Sequence, residues 1–172
     1  HVDSLDEITG RGIYEFNGNW YAYNLTTIDD ETVTVYAIWE ENSYNLIYHS
    51  NYDVVESAMS DQTSSETHLY TEKFQIKSNT DSAILFTLTG YTFSGWNTEE
   101  DGSGRDYSSG TSVSRLASEA DGEFHLYAQW TPNRHQLTFN ANGGSGEMAT
   151  IETIYGQNLQ LPETAFTRTG YD

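Results

Sequence analysis

The sequence predicts a mainly β chain built from tandem copies of one small module, and three observations carry that prediction. The phrases Val33-Thr34-Val35-Tyr36-Ala37-Ile38-Trp39 and Phe124-His125-Leu126-Tyr127-Ala128-Gln129-Trp130 match position for position, 91 residues apart. Self-similarity at a fixed spacing marks a repeat architecture. Residues 40–53 then align without a gap on residues 131–144, which places Leu46 against Leu137 and Tyr48 against Phe139. Finally, both phrases alternate apolar with other residues and are rich in β-branched and aromatic types, the pattern of a half-buried strand. Hydrophobic residues make up only 36% of the 172, while aromatics reach 14%. The cores are therefore small and built largely from rings, each able to bury about 150–250 Å².

Taken in order, residues 1–43 read as the C-terminal half of a repeat. Thr9-Gly10-Arg11-Gly12-Ile13-Tyr14 resembles the glycine turn Ser103-Gly104-Arg105-Asp106-Tyr107, and Asp29-Asp30-Glu31 is an acidic entry to the strand ending at Trp39. Residues 44–133 form a complete copy. Within it, Ser57–Thr67 has loop composition, Tyr70–Ile76 alternates as a strand, and Ser112–Ala120 is a helix candidate because Val113, Leu116 and Ala117 fall three and four apart. Residues 134–172 open a further copy. Its Asn142-Gly143-Gly144 is a hairpin signal, since these residues accept the positive φ of a tight turn, and Tyr155–Leu161 alternates again. The matching Asn51-Tyr52-Asp53 lacks glycine, so that turn must be built differently.

Seven Lys and Arg face 26 Asp and Glu, a formal net charge of −19. Such a surface repels phosphate backbones and anionic lipids, which disfavours nucleic acid and membrane insertion. It also keeps a repetitive β protein from associating edge to edge. Cysteine is absent, which excludes disulfide frameworks and thiolate metal sites.

The order of alternating strand, Asn142-Gly143-Gly144, Tyr155-Gly156, Leu161-Pro162, Gly90-Tyr91-Thr92-Phe93-Ser94-Gly95-Trp96, acidic glycine turn and Leu126-Tyr127-Ala128-Gln129-Trp130 resembles the Listeria–Bacteroides repeat family, which includes the B-repeat of internalin-type surface proteins. The resemblance covers residues 90–130 and 135–171 closely and residues 44–89 less so. Over residues 1–39 it is partial, because no GYxFxGW phrase precedes the turn. It implies a β-grasp module of ubiquitin-like shape, strung in tandem on secreted or cell-surface bacterial proteins, without catalytic residues. In that setting Tyr91, Phe93, Trp96, Tyr127 and Trp130 are the expected core anchors, with Tyr36 and Trp39 in the same role in the first half copy.

Little else points to chemistry. The five histidines show no ligand spacing, and His49, His125 and His135 each fall in an expected strand, where a structural role is the expectation. No catalytic or nucleotide-binding phrase is present. Adjacent carboxylates such as Glu99-Glu100-Asp101 belong to solvated turns. The loop from Asp101 to Asp106 offers oxygen ligands that suit Ca²⁺, with Asp101 and Asp106 as the candidate ligands, although Arg105 intrudes. No other cofactor is expected. Trp20, Tyr21 and Tyr23 form an aromatic patch outside the repeat phrase and would serve a carbohydrate-binding module by stacking on sugars; the structural alternative is cross-strand packing. Asn24-Leu25-Thr26 fits a glycosylation acceptor.

The expected function is non-catalytic and extracellular: a surface repeat that acts as spacer or adhesin, or a self-assembling subunit whose half repeats complete one another head to tail. A carbohydrate-binding module is the alternative. Expected partners are neighbouring copies of the repeat and surface glycans or proteins.

Overall fold

The structure, a computed structural model, describes residues 12–16, 19–23, 29–34 and 39–171. The chain divides into two compact units, residues 1–40 and 41–172. In the first, β1 (Gly12–Phe16) and β2 (Asn19–Tyr23) pair antiparallel, with Phe16 opposite Asn19.

The second unit contains the complete copy. Its elements are β3 (Ser43–His49), α1 (Tyr52–Val55), β4 (Thr63–Leu69), β5 (Phe74–Gln75), β6 (Tyr91–Asn97), β7 (Asp106–Tyr107), β8 (Ser112–Val113) and β9 (Gly122–Pro132). Five of these strands form one sheet in the order β4-β3-β9-β6-β7. The first and last long strands, β3 and β9, are parallel neighbours at its centre, and the other pairings are antiparallel. This is the strand order expected of a β-grasp sheet.

Strand alternation sends Tyr44, Leu46 and Tyr48 of β3 and Leu126 and Ala128 of β9 to one face, each at most 1% exposed. Ile76, Ile84, Phe86 and Leu88 come from the irregular segment between β5 and β6 and pack onto that face. They stand where a β-grasp module would lay a helix. Asn79 ties the segment's turn by accepting from the Phe86 N–H through its own carbonyl (2.8 Å) and donating its side-chain amide to the Phe86 carbonyl (2.9 Å).

The phrase GYxFxGW has a specific geometric reason. Tyr91, Phe93 and Trp96 are two and then three positions apart, so a regular strand would turn Trp96 away from the other two. The register of β6 against β9 shifts between Phe93 and Gly95, a β-bulge that absorbs Ser94. Gly95 takes φ +143°, a backbone that side chains disfavour. Trp96 therefore returns to the core at 1% exposure, with Phe93 edge-on to it at 5.0 Å and Tyr48 at 4.9 Å. Three of the core rings find partners for their polar atoms: Trp96 Nε1 donates to the Lys77 carbonyl and Trp130 Nε1 to that of Ser50, both at 2.8 Å, and Tyr52 Oη to that of Thr87 at 2.9 Å.

Several expectations need correction. The loop expected over Ser57–Thr67 contains the start of β4. That strand lies at the sheet edge, so its Ser and Thr are engaged by hydrogen bonding rather than burial, as with Ser64 Oγ on the Ala83 carbonyl (2.7 Å) and Thr67 Oγ1 on Asn45 (2.8 Å). The strand expected over Tyr70–Ile76 shrinks to Phe74–Gln75. The helix expected over Ser112–Ala120 does not form. Ser112–Val113 pairs with β5, and Arg115 takes left-handed backbone (φ +59°) that a helix cannot continue through. Val113 and Leu116 still pack against the core, the first from β8 and the second from a bend.

Beyond Pro132, β10 (Arg134–Leu137) pairs antiparallel with β11 (Ile151–Ile154). Asn142-Gly143-Gly144 does make a tight turn, closed by the Gly144 N–H on the Ala141 carbonyl at 2.8 Å. The residue after it bridges to Thr167 instead of forming a hairpin partner. Tyr155–Leu161 is not a strand. Asn51 and Asn142, at matching positions, both adopt left-handed backbone (φ +55° and +47°). Asparagine alone thus supplies in the first copy what Asn-Gly-Gly supplies in the second.

Candidate functional site

Three constructions concentrate the polar side chains of the second unit, and each is built on elements already fixed by the sheet. The first lies on the sheet face opposite the core. Parallel pairing of β3 with β9 sets Ile47 beside His125 and His49 beside Tyr127. A chain of contacts follows: Asp61 Oδ2 to His49 Nδ1 at 2.6 Å, His49 Nε2 to His125 Nδ1 at 3.0 Å, and His125 Nε2 to Glu123 Oε2 at 3.4 Å. Tyr127 stacks on His49 at 4.4 Å and 21°. Tyr127, expected as a core anchor, thus faces away from the core, because it alternates with the buried Leu126 and Ala128.

Asp61 is the hub of this face. Its Oδ1 accepts from Ser50 Oγ (2.9 Å) and the Asn51 N–H (2.8 Å). Burial pushes its carboxyl up, but the hydrogen bonds from His49, Asn51 and Ser50 outweigh that and hold it below its ordinary value. A Ser, a His and an Asp meet here, yet not as a nucleophile relay. Ser50 and His49 both donate to the same carboxylate, and Ser50 is fully buried. A relay would need the serine hydroxyl on the imidazole. This arrangement instead clamps the turn that launches α1, with Asn51 Nδ2 adding bonds to the carbonyls of Glu100 (2.8 Å) and Ala128 (3.0 Å).

The second construction is the acidic turn between β6 and β7, organised by the fully buried Asn97. Its Oδ1 accepts from the N–H groups of Glu99 (2.9 Å) and Gly104 (3.0 Å). Its Nδ2 donates to the Gly102 carbonyl (3.1 Å) and to Asp106 Oδ1 (2.7 Å). Asp106 is therefore engaged by Asn97, and Asp101 by the Ser103 N–H at 2.9 Å. The Asp101 carboxyl sits below its ordinary value because of its hydrogen bonds from Ser103. Among the described residues, no three His, Asp or Glu side chains are placed to hold a metal ion together.

The third construction joins the complete copy to the next. The Asn133 N–H donates to the Gly90 carbonyl (2.8 Å), and the Asn133 carbonyl accepts from the Tyr155 N–H (2.8 Å). Thr92 Oγ1 donates to Asn133 Oδ1 at 2.7 Å. The Tyr155 ring lies against Gly90, where an added Cβ would come within 2.3 Å of it. The same ring meets Tyr91 edge-on at 5.5 Å, and the Tyr91 hydroxyl donates to Glu56 at 3.0 Å. Half of this joint recurs at the start of the complete copy, where the Tyr70 N–H donates to the Asn42 carbonyl at 2.9 Å.

Of the expected anchors, Trp96 is buried, and Tyr91, Phe93 and Trp130 are partly buried against the core. Trp39 is a correction. It is 88% exposed, whereas its match Trp130 packs against Tyr52 at 5.8 Å and Phe93 at 5.7 Å. Residues 1–39 contain no GYxFxGW phrase to supply such rings. Tyr36 and Asn24 lie outside the described residues. Trp20, Tyr21 and Tyr23 fall in β2, but their side chains also lie outside what is described. Sequence spacing missed the His49–His125 meeting, since the two are 76 positions apart and only parallel pairing of distant strands unites them. Asn97 was missed as well; the one signal for it was an amide directly after GYxFxGW and before a glycine-rich turn.

Comparison with known proteins fits this arrangement. The family model of the Listeria–Bacteroides repeat domain matches residues 44–129 and again residues 135–172. A protein of Evansella cellulosilytica provisionally named "Gly-rich membrane protein" is 35% identical over 141 residues, 81% of this chain. A second protein of that organism, provisionally named "membrane protein", is 39% identical over 115 residues, 66% of this chain. The matched stretch spans 15% of the length of each relative. No solved structure matches the chain. Among the described residues no helix is long and apolar enough to cross a membrane. With two successive matches covering most of its length, the chain belongs to the Listeria–Bacteroides repeat family.

Proposed function

We propose that this chain is a non-catalytic stretch of a bacterial cell-surface protein, in which linked copies of the repeat hold other parts of that protein at a set distance from the cell. The observation that carries the reading is the joint at Asn133. That residue is bonded on one side to Gly90 and on the other to Tyr155, so consecutive copies follow without a slack linker. Membership of the family, and two long relatives whose names call them membrane proteins, support a surface setting. Small-angle scattering of chains extended by one, two and three repeats tests it. The maximum dimension is expected to grow by a constant increment per repeat; growth with the square root of repeat number, as a flexible chain shows, would overturn the reading.

Calcium has no part in this reading, because Asp101 and Asp106, the candidate ligands, already accept hydrogen bonds within the turn. Self-assembly is a second reading, and the exposure of Trp39 favours it. The phrase 33–39 matches β9, the strand that lies beside β3 in the complete copy. In this reading the phrase from one chain covers the open face of residues 134–171 in another, which yields a head-to-tail fibre or ring. Light scattering across a dilution series decides it: a mass above one chain that falls for Trp39→Ser supports assembly, and a monomer at every concentration ends it.

A further inference from the structure

The Tyr155–Gly90 contact has one feature that a generic packing contact lacks: it needs a residue without a side chain. Gly90 takes φ +83°, and the position its Cβ would occupy lies 2.3 Å from the Tyr155 ring. The α-hydrogen there points straight at the ring face. Gly170 occupies the matching place in the next copy and has the same backbone, φ +83°. A Cβ on it would meet nothing within 4 Å. Tyr171 follows it as Tyr91 follows Gly90, and is 66% exposed. Glu147 stands at the position that matches Glu56, the carboxylate that anchors the Tyr91 hydroxyl in the occupied joint.

We propose that Gly170 is a second seat of the same kind, and that its occupant is the tyrosine of another copy of this repeat. The ring-bearing half of the joint is present in both copies of the chain: the Tyr70 N–H meets the Asn42 carbonyl as the Tyr155 N–H meets that of Asn133. The seat selects an aromatic ring because a glycine presents a flat approach, and it selects this ring because a neighbouring asparagine fixes the tyrosine's own backbone. The patch involves few side chains, far below the ~1,000 Å² of a stable interface between free proteins. It is therefore suited to a linked copy, for which the effective concentration is about millimolar or higher. The inference rests on the array reading and adds to it the contact that orders successive copies.

The test appends residues 93–172 again after Asp172, which continues Gly170-Tyr171-Asp172 into Phe-Ser-Gly-Trp and completes the second copy. Nuclear magnetic resonance then reads the α-hydrogens of Gly90 and Gly170. In the 172-residue chain, Gly90 is expected upfield under the Tyr155 ring and Gly170 at its ordinary position; Tyr155→Leu returns Gly90 to ordinary. In the extended chain, Gly170 is expected to move upfield to match Gly90, and Tyr155→Leu in the appended copy alone reverses it. If the appended tryptophan that matches Trp96 shows a protected indole N–H while Gly170 stays unshifted, the copy has folded and the seat is refuted, with the array reading intact. If that indole is unprotected, the copies do not fold in tandem and the array reading falls, together with the seat.

Discussion

The complete copy and residues 134–171 share Leu46 with Leu137 and Tyr48 with Phe139 at matching positions, yet among the described residues only the complete copy has a core. Leu46 and Tyr48 are 0% and 1% exposed, whereas their matches Leu137 and Phe139 are half-buried. No described residue of 134–171 is buried. β10 carries His135 where β3 carries Tyr44 but keeps Leu137 against Leu46; the neighbour differs as well. β3 lies beside β9, whose Leu126 and Ala128 close the same core, and among the described residues β10 pairs with β11 alone. Apolar alternation thus specifies which face a strand will bury, while the long-range parallel pairing decides whether that face is buried at all.

Substitutions in the two copies sharpen that contrast. Trp96→Ala removes the ring around which Tyr48, Phe86 and Phe93 are arranged. It is expected to cost about 3–5 kcal/mol in urea unfolding, enough to unfold a module of this size. Asn97→Ala leaves the N–H groups of Glu99 and Gly104 without their acceptor and is expected to cost about 2–3 kcal/mol. Asp61→Asn is expected to cost about 1–2 kcal/mol at neutral pH. This effect has a pH signature. The folded state holds the Asp61 carboxyl below its unfolded value, so its contribution is present above the ordinary carboxylate range and lost as the pH falls through the lowered folded value. Glu66, held low against its own burial by Lys77, Tyr48 and His68, adds to the same acid loss. Stability of the native chain should therefore fall more steeply below about pH 4 than that of Asp61→Asn. Leu137→Ala, in the second copy, is expected to cost less than about 1 kcal/mol, since little area leaves water there. A value as large as that of Leu46→Ala would break the comparison. Calcium sits at the foot of this scale: millimolar Ca²⁺ is expected to leave the melting midpoint unchanged, because only binding to the folded state raises it.

The duplication, the alternating strands and the motif aromatics were legible because each is written locally. Leu46, Tyr48, Leu126 and Trp96 each declare themselves through neighbours a few positions away. What escaped was set at long range or by hydrogen bonding. The first half of β4, within Ser57–Thr67, has loop composition because an edge strand need bury little, and its Ser and Thr satisfy the ladder as well as any Val would. Val113 and Leu116 mimicked a helical spacing that the left-handed Arg115 interrupts, and an arginine carries no warning of such a backbone. The meeting of His49 with His125 depends on strands whose contacting residues are 76 positions apart lying side by side, and the hub role of Asp61 on hydrogen bonds to residues 10 to 12 positions away. Trp39 shows the converse: it ends a phrase that matches β9 in sequence, yet its side chain is exposed, and residues 1–39 carry no GYxFxGW rings to receive it.

The central parallel pair also has a mechanical meaning. A pull along the chain enters the complete copy at Ser43 and leaves at Pro132. Because these strands run the same way, the two points of attachment lie towards opposite ends of the pair. Tension then drags one strand lengthwise past the other and strains all six register positions from Tyr44–Gly122 to His49–Tyr127 together, where an antiparallel arrangement would peel them apart one at a time. Rupture under load is governed by the rate of unfolding, so each such copy should resist a pull along the chain well beyond what its modest core would suggest.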